Sequence, residues 1–178
     1  MKLICVGRNY SNHIAELQNE KPKEPVVFLK PDTAILLKKQ PFFIPDFSKN
    51  VQYEVEVLVK INRVGKYIVS EFAHKYYDQI GLGIDFTARD VQQTLKQKGL
   101  HWEKAKAFDG STDVGKWVSK HQFENLKSLS FSWKQNDRIV QSGNTKDMRW
   151  TINDIIDYDS QFFTLKIGGS ICTGKGYG

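Results

Sequence analysis

The stretch Val51–Ile61, with the sequence VQYEVEVLVKI, has the alternation of β-branched and polar residues that is typical of a β-strand. Side chains alternate between the two faces of a strand, so Val55 and Val57 share one face while Glu54 and Glu56 share the other. Two carboxylates in such neighbouring positions lie about 6.5–7 Å apart and repel each other unless water or a cation screens them. The pattern therefore allows two interpretations, a solvated outer face of a sheet or a site for a hard cation such as Mg²⁺ or Ca²⁺.

The length and composition of the chain predict one folded domain spanning residues 1–178. The 178 residues suffice for one sizeable core but are few for two domains, and 40% hydrophobic and 12% aromatic residues are typical of a folded protein. We find no apolar run long enough for a signal peptide or a membrane span. Two cysteines, Cys5 and Cys172, cannot form a disulfide framework, so we expect a reduced, cytoplasmic protein.

The charge pattern argues against nucleic acid as a partner. Twenty-six basic and twenty acidic residues give a net charge of +6, but the lysines are scattered and form no run typical of DNA or RNA binding. A general attraction for small anions is the inference that this charge supports.

Strand patterns outnumber helical ones and do not alternate with them regularly, which predicts a mixed, mainly β fold. Residues 135–137 are typical of a hairpin turn, and Thr151 with Asp154 is typical of the capping pattern at the start of a helix. The predicted strands are Leu3–Gly7, Val26–Lys30, Thr33–Leu37, Val51–Ile61, Ile80–Asp85, Lys116–Ser119, Leu129–Lys134, Arg138–Gln141, Phe162–Ile167 and Ser170–Thr173. The predicted helices are Asn12–Gln18, Ser70–Gln79, one from Phe86 to a stop at Gly99, and one beginning at Ile152.

Three further positions carry candidate chemistry. His13 and Glu16 lie three residues apart on a predicted helix capped by Ser11, where the carboxylate would orient the imidazole as a general base for water, although polar helix surfaces also produce such pairs. Asp85 ends a predicted strand next to a helix start and is either a capping group or a ligand. Lys106 lies among apolar residues and either anchors an anion or only extends its amine to solvent.

Taken together, six motifs in this order resemble the fumarylacetoacetate hydrolase family, in particular its small single-domain members of the acylpyruvase and oxaloacetate decarboxylase type. The resemblance runs from Leu3 to the end of the chain. Each motif alone is weak, whereas six in the expected order are specific. They are GRNYSNHIAE at 7–16, FLKP at 28–31, YEVE at 53–56, GIDFTARDVQ at 83–92, AKAF at 105–108 and QSGNTKDM at 141–148.

The resemblance implies a rolled β-sheet like that of the fumarylacetoacetase C-terminal domain, with a few short helices, and a homodimer. It implies a Mg²⁺ site, or one for Mn²⁺ or Ca²⁺, formed by Glu54, Glu56 and Asp85. The residues that it implies for catalysis are His13 and Glu16 on a lid helix and Lys106, and those for substrate binding are Arg8, Arg89, Gln92 and Thr173.

The implied activity is metal-dependent hydrolysis of a C–C bond in a small anionic 2,4-dioxo acid, through a metal-bound enolate, with His13 and Glu16 activating water. Oxaloacetate decarboxylation and isomerisation of a 2-hydroxy-dienoate on the same site are alternatives, and a non-catalytic binding relative is an alternative of another class. The chain departs from the family pattern at Gln52 and Tyr53, at Gly168-Gly169 and after Thr173. It stops at Gly178 where relatives continue, so we expect a shortened C-terminal end or an absent tail.

Overall fold

A computed structural model describes residues 2–10 and 22–175. The strands are β1 Leu3–Gly7, β2 Val26–Lys30, β3 Val51–Ile61, β4 Tyr77–Ala88, β5 Thr112–Val114, β6 Val118–Ser119, β7 Ser130–Gln135, β8 Arg138–Asn144 and β9 Ser170–Lys175. Seven of them form the main sheet, in the order β2-β1-β9-β3-β4-β5 with β6 paired to β4, and a separate hairpin joins β7 to β8. Strands β1 and β9 are parallel, and the other pairs are antiparallel.

Four short α-helices accompany the strands in the described part of the chain: α1 Ser70–Ala73, α2 Arg89–Gln97, α3 Glu103–Lys106 and α4 Ile152–Phe162. The predicted mixed, mainly β fold is therefore confirmed. None of these helices is long and apolar enough to span a membrane.

The longest strand pair, β3 with β4, forms the middle of the sheet. The predicted bounds of β3 are confirmed, and it pairs with β4 along its whole length. Val55, Val57 and Val59 are buried in the main core with Ile155 and Ile156 of α4. Burial of such apolar side chains contributes about 1.5–3 kcal/mol each. The valine face of β3 thus anchors the sheet, which leaves its other face available for the two glutamates.

Two local predictions are confirmed by hydrogen bonds and backbone angles. The Thr151 side chain accepts from the Asp154 N–H and the Asp154 carboxylate accepts from the Thr151 N–H, so a capping box starts α4. Asn136 and Asp137 both have positive φ, as the two-residue hairpin turn between β7 and β8 requires. These elements depend only on neighbouring residues, which is why sequence reasoning found them.

Three predicted elements are wrong. In place of a strand at Thr33–Leu37 the chain makes one 3₁₀ turn, because the Ala34 N–H bonds to the Pro31 carbonyl, and only Ile35 bridges to β5. The helix predicted at Ser70–Gln79 ends at Ala73, since β4 recruits the residues from Tyr77 onward. The strand predicted at Phe162–Ile167 is absent, as α4 extends to Phe162 and a single bridge follows, from Leu165 to Gly65.

The helix predicted from Phe86 begins later, at Arg89, because β4 continues to Ala88 in pairing with β3. Thr87 is therefore a strand residue and caps nothing, while Asp90 accepts bonds from Ser48 and from the Lys49 N–H. The predicted stop at Gly99 is confirmed: its φ is +63°, and its N–H bonds to the Lys96 carbonyl.

Asp159 on α4 is a buried carboxyl group without a partner. Its side chain is fully buried, and no donor within residues 2–10 or 22–175 reaches either carboxylate oxygen. Burial raises the pKa of Asp159 to about 7. The charged form is therefore unfavourable in the folded protein.

Replacing Asp159 with Val should stabilise the protein at pH 8. The folded-state pKa of about 7 exceeds the unfolded value of about 3.9, so the folded state binds more protons between these values and stability falls as the pH rises through them. An unsatisfied buried polar group costs about 1–3 kcal/mol. Urea unfolding should show a gain of that order at pH 8 and much less at pH 4.

Asp109, which is exposed, provides the control for this substitution. Asp109→Val should change the free energy of unfolding by the same small amount at both pH values. A gain for Asp159→Val that does not grow between pH 4 and pH 8 would contradict the assignment of the titrating group.

Candidate metal and substrate site

Glu54, Glu56 and Asp85 meet at one point on the sheet. The β3–β4 register places Glu54 directly opposite Asp85 and Glu56 opposite Gly83. One carboxylate oxygen from each acid lies within 4.8 Å of the others. All three side chains are buried, at 5%, 3% and 3% exposure, so the interpretation of Glu54 and Glu56 as a solvated outer face is wrong.

Gly83 leaves room for this close approach of the strands. A Cβ atom at this position would lie 2.5 Å from Leu58 Cδ1 and 2.7 Å from the Asp113 carbonyl oxygen. Contacts that short do not occur in real proteins without a shift of the backbone. The residue opposite Glu56 in the register therefore has to be glycine for β3, β4 and β5 to pack as they do.

The three acids are electrostatically strained without a cation. Burial raises the pKa of Glu56 to about 8, with a further increase from the charge of Asp85 and a partial reduction from Lys106. A divalent cation among the three carboxylates would remove the repulsion that raises this pKa. Carboxylate oxygens are the ligands that Mg²⁺, Mn²⁺ and Ca²⁺ prefer, so the residues present fit such an ion.

Lys106, at the end of α3, is buried against the acids. Its Nζ donates to Glu54 Oε2 at 2.5 Å, to Asp85 Oδ2 at 3.0 Å and to Thr87 Oγ1 at 2.7 Å. Burial lowers the pKa of Lys106, but the charges of Asp85 and Glu54 outweigh it and raise the pKa above the ordinary value. Lys106 is therefore a fixed positive charge beside the candidate metal position, and it does not merely extend to solvent.

Lys30 is a second buried lysine at the site, and sequence reasoning gave it no role. Its Nζ donates to Asp85 Oδ1 at 2.7 Å, to Thr112 Oγ1 at 2.8 Å and to the Ser111 carbonyl at 3.0 Å. Each carboxylate oxygen of Asp85 thus has its own lysine. The signal that could have found it is the lysine of the FLKP motif, which ends a strand whose other residues are apolar.

Arg89 and Gln92 lie at the start of α2, beside Glu54. The Arg89 guanidinium forms an ion pair with Glu54 Oε1, and it donates to Gln92 Oε1 at 2.6 Å and to Gln52 Oε1 at 2.9 Å. Gln52, one of the positions where the chain departs from the family pattern, thus helps to hold Arg89. Both predicted substrate-binding residues border the pocket above the acids.

The peptide group between Thr173 and Gly174 links two parts of the site. Its N–H donates to Glu56 Oε2 at 2.9 Å, while its carbonyl accepts from Asn9 Nδ2 at 2.9 Å. Asn9 also bonds both peptide groups of Trp150 and is buried. The Thr173 hydroxyl, predicted to contact substrate, donates to the Val57 carbonyl at 2.9 Å. Asn9 is thus a further site residue, and only its place in the GRNY motif could have indicated it.

The pocket above the acids is lined by cations and aromatic rings. Two of its cations lie over the ring of Trp102: Arg8 Cζ is 5.9 Å and Lys96 Nζ is 5.3 Å from the ring centroid. Burial, then the charges of Arg8 and Arg89, lower the pKa of Lys96 to about 8. The residues lining the pocket are Val6, Gly7, Arg8, Phe28, Glu54, Glu56, Arg89, Gln92, Lys96, Trp102, Lys106, Gly174 and Lys175.

The structure therefore brings together most of the residues predicted from the sequence. Seven belong to one site, namely Arg8, Glu54, Glu56, Asp85, Arg89, Gln92 and Lys106. Thr173 lies next to it on β9 but is not among the residues that line the pocket, and its hydroxyl is used by the Val57 carbonyl. The other two predicted residues, His13 and Glu16, lie outside the described residues.

Known proteins of similar sequence match this chain over almost its whole length. The mitochondrial oxaloacetate tautomerase FAHD1 of Bos taurus is 38% identical over 178 residues, which span 99% of this chain and 80% of the relative. The oxaloacetate tautomerase YcgM of Escherichia coli is 39% identical over 174 residues, which span 97% and 80%.

Solved structures agree with the fold. A protein from Yersinia pestis described as of the fumarylacetoacetate hydrolase family has a TM-score of 0.93 at 38% identity, covering 99% of this chain and 82% of that chain. The fumarylpyruvate hydrolase from Pseudomonas aeruginosa, solved in complex with Mn²⁺ and pyruvate, has a TM-score of 0.89 at 28% identity, covering 100% and 80%.

The family profile described as "Fumarylacetoacetate (FAA) hydrolase C-terminal" matches residues 2–178. The relatives named above include tautomerases and a hydrolase, which are enzymes. The sequence motifs, the buried acids and these comparisons agree, and the chain belongs to the fumarylacetoacetate hydrolase family of enzymes.

Proposed function

We propose that this protein is a divalent-metal-dependent enzyme that converts a small 2-oxo acid by way of its enolate. The observation that carries the proposal is the convergence of three buried carboxylates beside Lys106. When bound, a divalent cation supplies a Lewis acid for the 2-oxo and carboxylate oxygens of such a substrate. The Mn²⁺ and pyruvate in the structure of the Pseudomonas aeruginosa relative support this choice of ligands.

The residues of the chain have separate tasks in this proposal. Glu54, Glu56 and Asp85 hold the cation, and the Lys106 ammonium stabilises the negative charge that develops on the enolate oxygen. Arg89 is already held by Gln92 and Glu54 at the pocket edge. Its planar guanidinium suits the substrate carboxylate, where it would exchange part of its present contacts for the ligand.

Interconversion of the keto and enol forms of oxaloacetate is the reaction that the comparisons support best. Two relatives at 38% and 39% identity are named oxaloacetate tautomerases. The reaction transfers a proton from C3 to a base and adds a proton to the oxygen on C2, so it requires a proton acceptor but no attacking water. Decarboxylation of oxaloacetate passes through an enolate of the same kind, and it fits the same arrangement of residues.

The charge of the pocket supports a substrate with two carboxylates. Arg8 and Lys96 border the pocket, and neither forms an ion pair with residues 2–10 or 22–175. Burial, and after it the positive charges of Arg8, Arg89 and Lys106, lower the pKa of Lys96, and Glu54 offsets only part of this effect. A second carboxylate on the substrate would supply the missing negative charge at this end of the pocket.

Hydrolysis of a C–C bond in a 2,4-dioxo acid is the second candidate. The fumarylpyruvate hydrolase structure supports it, and so does the presence of His13 and Glu16 in the sequence. In this reaction Glu16 orients His13, and His13 takes a proton from the water that attacks the distal carbonyl carbon. The bond between that carbon and C3 then breaks, and C3 accepts a proton as the pyruvate enolate becomes pyruvate.

The expected homodimer and cytoplasmic location belong to the same proposal. Relatives named above come from a bacterium and from mitochondria. Size-exclusion chromatography with light scattering on the purified chain would measure its oligomeric state directly.

Mg²⁺ or Mn²⁺ should raise the melting temperature of the protein. Saturation to about 100 times the dissociation constant stabilises by about 2.7 kcal/mol, which corresponds to about 5–10 °C for a chain of this size. Glu54→Gln and Glu56→Gln should abolish the shift and also the turnover of oxaloacetate. Glu103→Gln, an exposed residue on α3, should retain both. A wild-type protein that shows neither shift nor turnover would favour the non-catalytic binding relative.

Lys96→Met should change the choice between dicarboxylate and monocarboxylate substrates. Loss of one charged contact should reduce kcat/KM for oxaloacetate about tenfold to a hundredfold while leaving acetylpyruvate, a monocarboxylate, within about twofold. The control is Lys98→Met, because Lys98 lies on the same helix end and is exposed. Equal losses for both substrates, or an equal effect of Lys98→Met, would contradict the role given to Lys96.

His13→Ala should separate the two candidate reactions. Loss of a general base costs about 10²–10⁴-fold, so acylpyruvate hydrolysis should fall by this factor if water activation is the task of His13. Decarboxylation of oxaloacetate forms the enolate by loss of CO₂, so it requires neither an attacking water nor a base at C3 and should fall much less. The control is His101→Ala, since His101 is exposed. Unchanged acylpyruvate turnover in His13→Ala would refute the role of the His13 and Glu16 pair.

A further inference from the structure

The side chain of Gln141 bonds to the backbone of Val55, the β3 residue that lies between the two glutamates. Its side-chain Oε1 accepts from the Val55 N–H at 2.9 Å, and its Nε2 donates to the Val55 carbonyl at 2.8 Å. A neighbouring strand would normally supply such a pair of bonds. Strand β9, described up to Lys175, does not do so within that range, because its pairing with β3 is irregular between Leu58 and Glu56 and its last described pair is Glu56 with Lys175.

The two bonds act on different peptide groups. The Val55 N–H belongs to the peptide that joins it to Glu54, and the Val55 carbonyl belongs to the peptide that joins it to Glu56. One amide side chain therefore fixes both peptide planes between the two acids. These planes help to set the directions of the Cα–Cβ bonds of Glu54 and Glu56. A contact that fixes both planes therefore fixes the angle at which the two glutamate side chains leave the backbone.

The hairpin of β7 and β8 holds Gln141 in this position. Gln141 lies on β8 opposite Trp133, whose ring contacts the Tyr53 ring with centroids 4.7 Å apart. At the base of the hairpin, Thr145 donates to the Leu126 carbonyl at 2.7 Å and accepts from the Leu129 N–H at 2.8 Å. The QSGNTKDM motif, which had no role in the site, thus forms part of a brace against β3.

The amide is almost completely enclosed. Gln141 is 2% exposed, and both of its polar groups are used by Val55. A glutamine is suited to this position because its amide offers one acceptor and one donor, which match the N–H and C=O of a single residue. Neither a carboxylate nor an apolar side chain of the same length can satisfy both groups of Val55.

We propose that Gln141 is a positioning residue that sets the geometry of Glu54 and Glu56 for binding a divalent cation, through the backbone of Val55. The proposal rests on the proposed function in one respect, namely that the acids bind such a cation. It assigns to the hairpin a task in metal affinity that is separate from its contribution to folding.

The experiment is a Mn²⁺ titration of purified Gln141→Met, followed by electron paramagnetic resonance of the free ion and by calorimetry. Outer residues that orient metal ligands typically contribute about 10–100-fold to affinity, so the dissociation constant should rise by that factor. The Mn²⁺ spectrum of the bound ion should broaden or change as the two carboxylates lose their fixed angle. Metal-free melting temperatures are measured on the same samples.

Ser160→Ala is the control for stability, because Ser160 on α4 accepts a buried hydrogen bond from the Ile68 N–H at 2.8 Å and belongs to neither the hairpin nor β3. It should lower the melting temperature and leave the Mn²⁺ dissociation constant within about threefold of the wild type. A shorter amide, Gln141→Asn, is the second variant if Gln141→Met does not fold. It cannot span both groups of Val55, so it should also weaken Mn²⁺ binding.

The outcomes separate this proposal from the proposed function. If the wild type binds Mn²⁺ and a folded Gln141 variant binds it equally well, the positioning role is wrong and the metal site stands. If Ser160→Ala weakens binding as much as Gln141→Met, the effect is one of general stability and the positioning role is again wrong. If the wild type does not bind Mn²⁺, the proposed function fails and this proposal fails with it.

Discussion

The pairing of β3 with β4 concentrates negative charge on three buried side chains, and the rest of the site compensates for it. Glu54 and Asp85 face each other across the pair, with Glu56 beside them. Removal of carboxylates from water is costly unless opposite charges and hydrogen bonds replace the lost hydration. Lys30 and Lys106 supply those charges, and each reaches an oxygen of Asp85.

The compensation is distributed over elements that are distant in the sequence. Lys30 comes from β2, Lys106 from α3 and Arg89 from α2, while the Gly174 N–H of β9 serves Glu56. Each partner also has a second anchor within the fold, such as Ser111 for Lys30. Partners such as Lys30, which several bonds hold in place, do not need to reorganise when a ligand arrives, and this is the condition for electrostatic preorganisation. Arg89 differs, because in the proposed function it exchanges part of its contacts for the substrate.

The sequence predictions were accurate where an element depends on residues close together in the chain, and less accurate where contacts between distant residues decide it. The β3 bounds, the capping box at Thr151 and the hairpin turn at Asn136-Asp137 depend on adjacent residues, and all three were predicted. The end of β4 and the start of α2 were misplaced because strand pairing with β3 outweighed the local helical pattern. The strand expected at Thr33–Leu37 was lost for the opposite reason, because a local 3₁₀ turn closed by the Ala34 N–H and the Pro31 carbonyl replaced it.

The sequence by itself determined the family and its acid residues, because six ordered motifs and the Glu-x-Glu alternation are visible without coordinates. Only the tertiary structure decided that these acids are buried together, that Lys30 is a further cation beside them, and that Gln141 bonds to the backbone between Glu54 and Glu56. The reason is physical: burial and hydrogen bonding depend on which strands become neighbours, and chain order alone does not specify those neighbours.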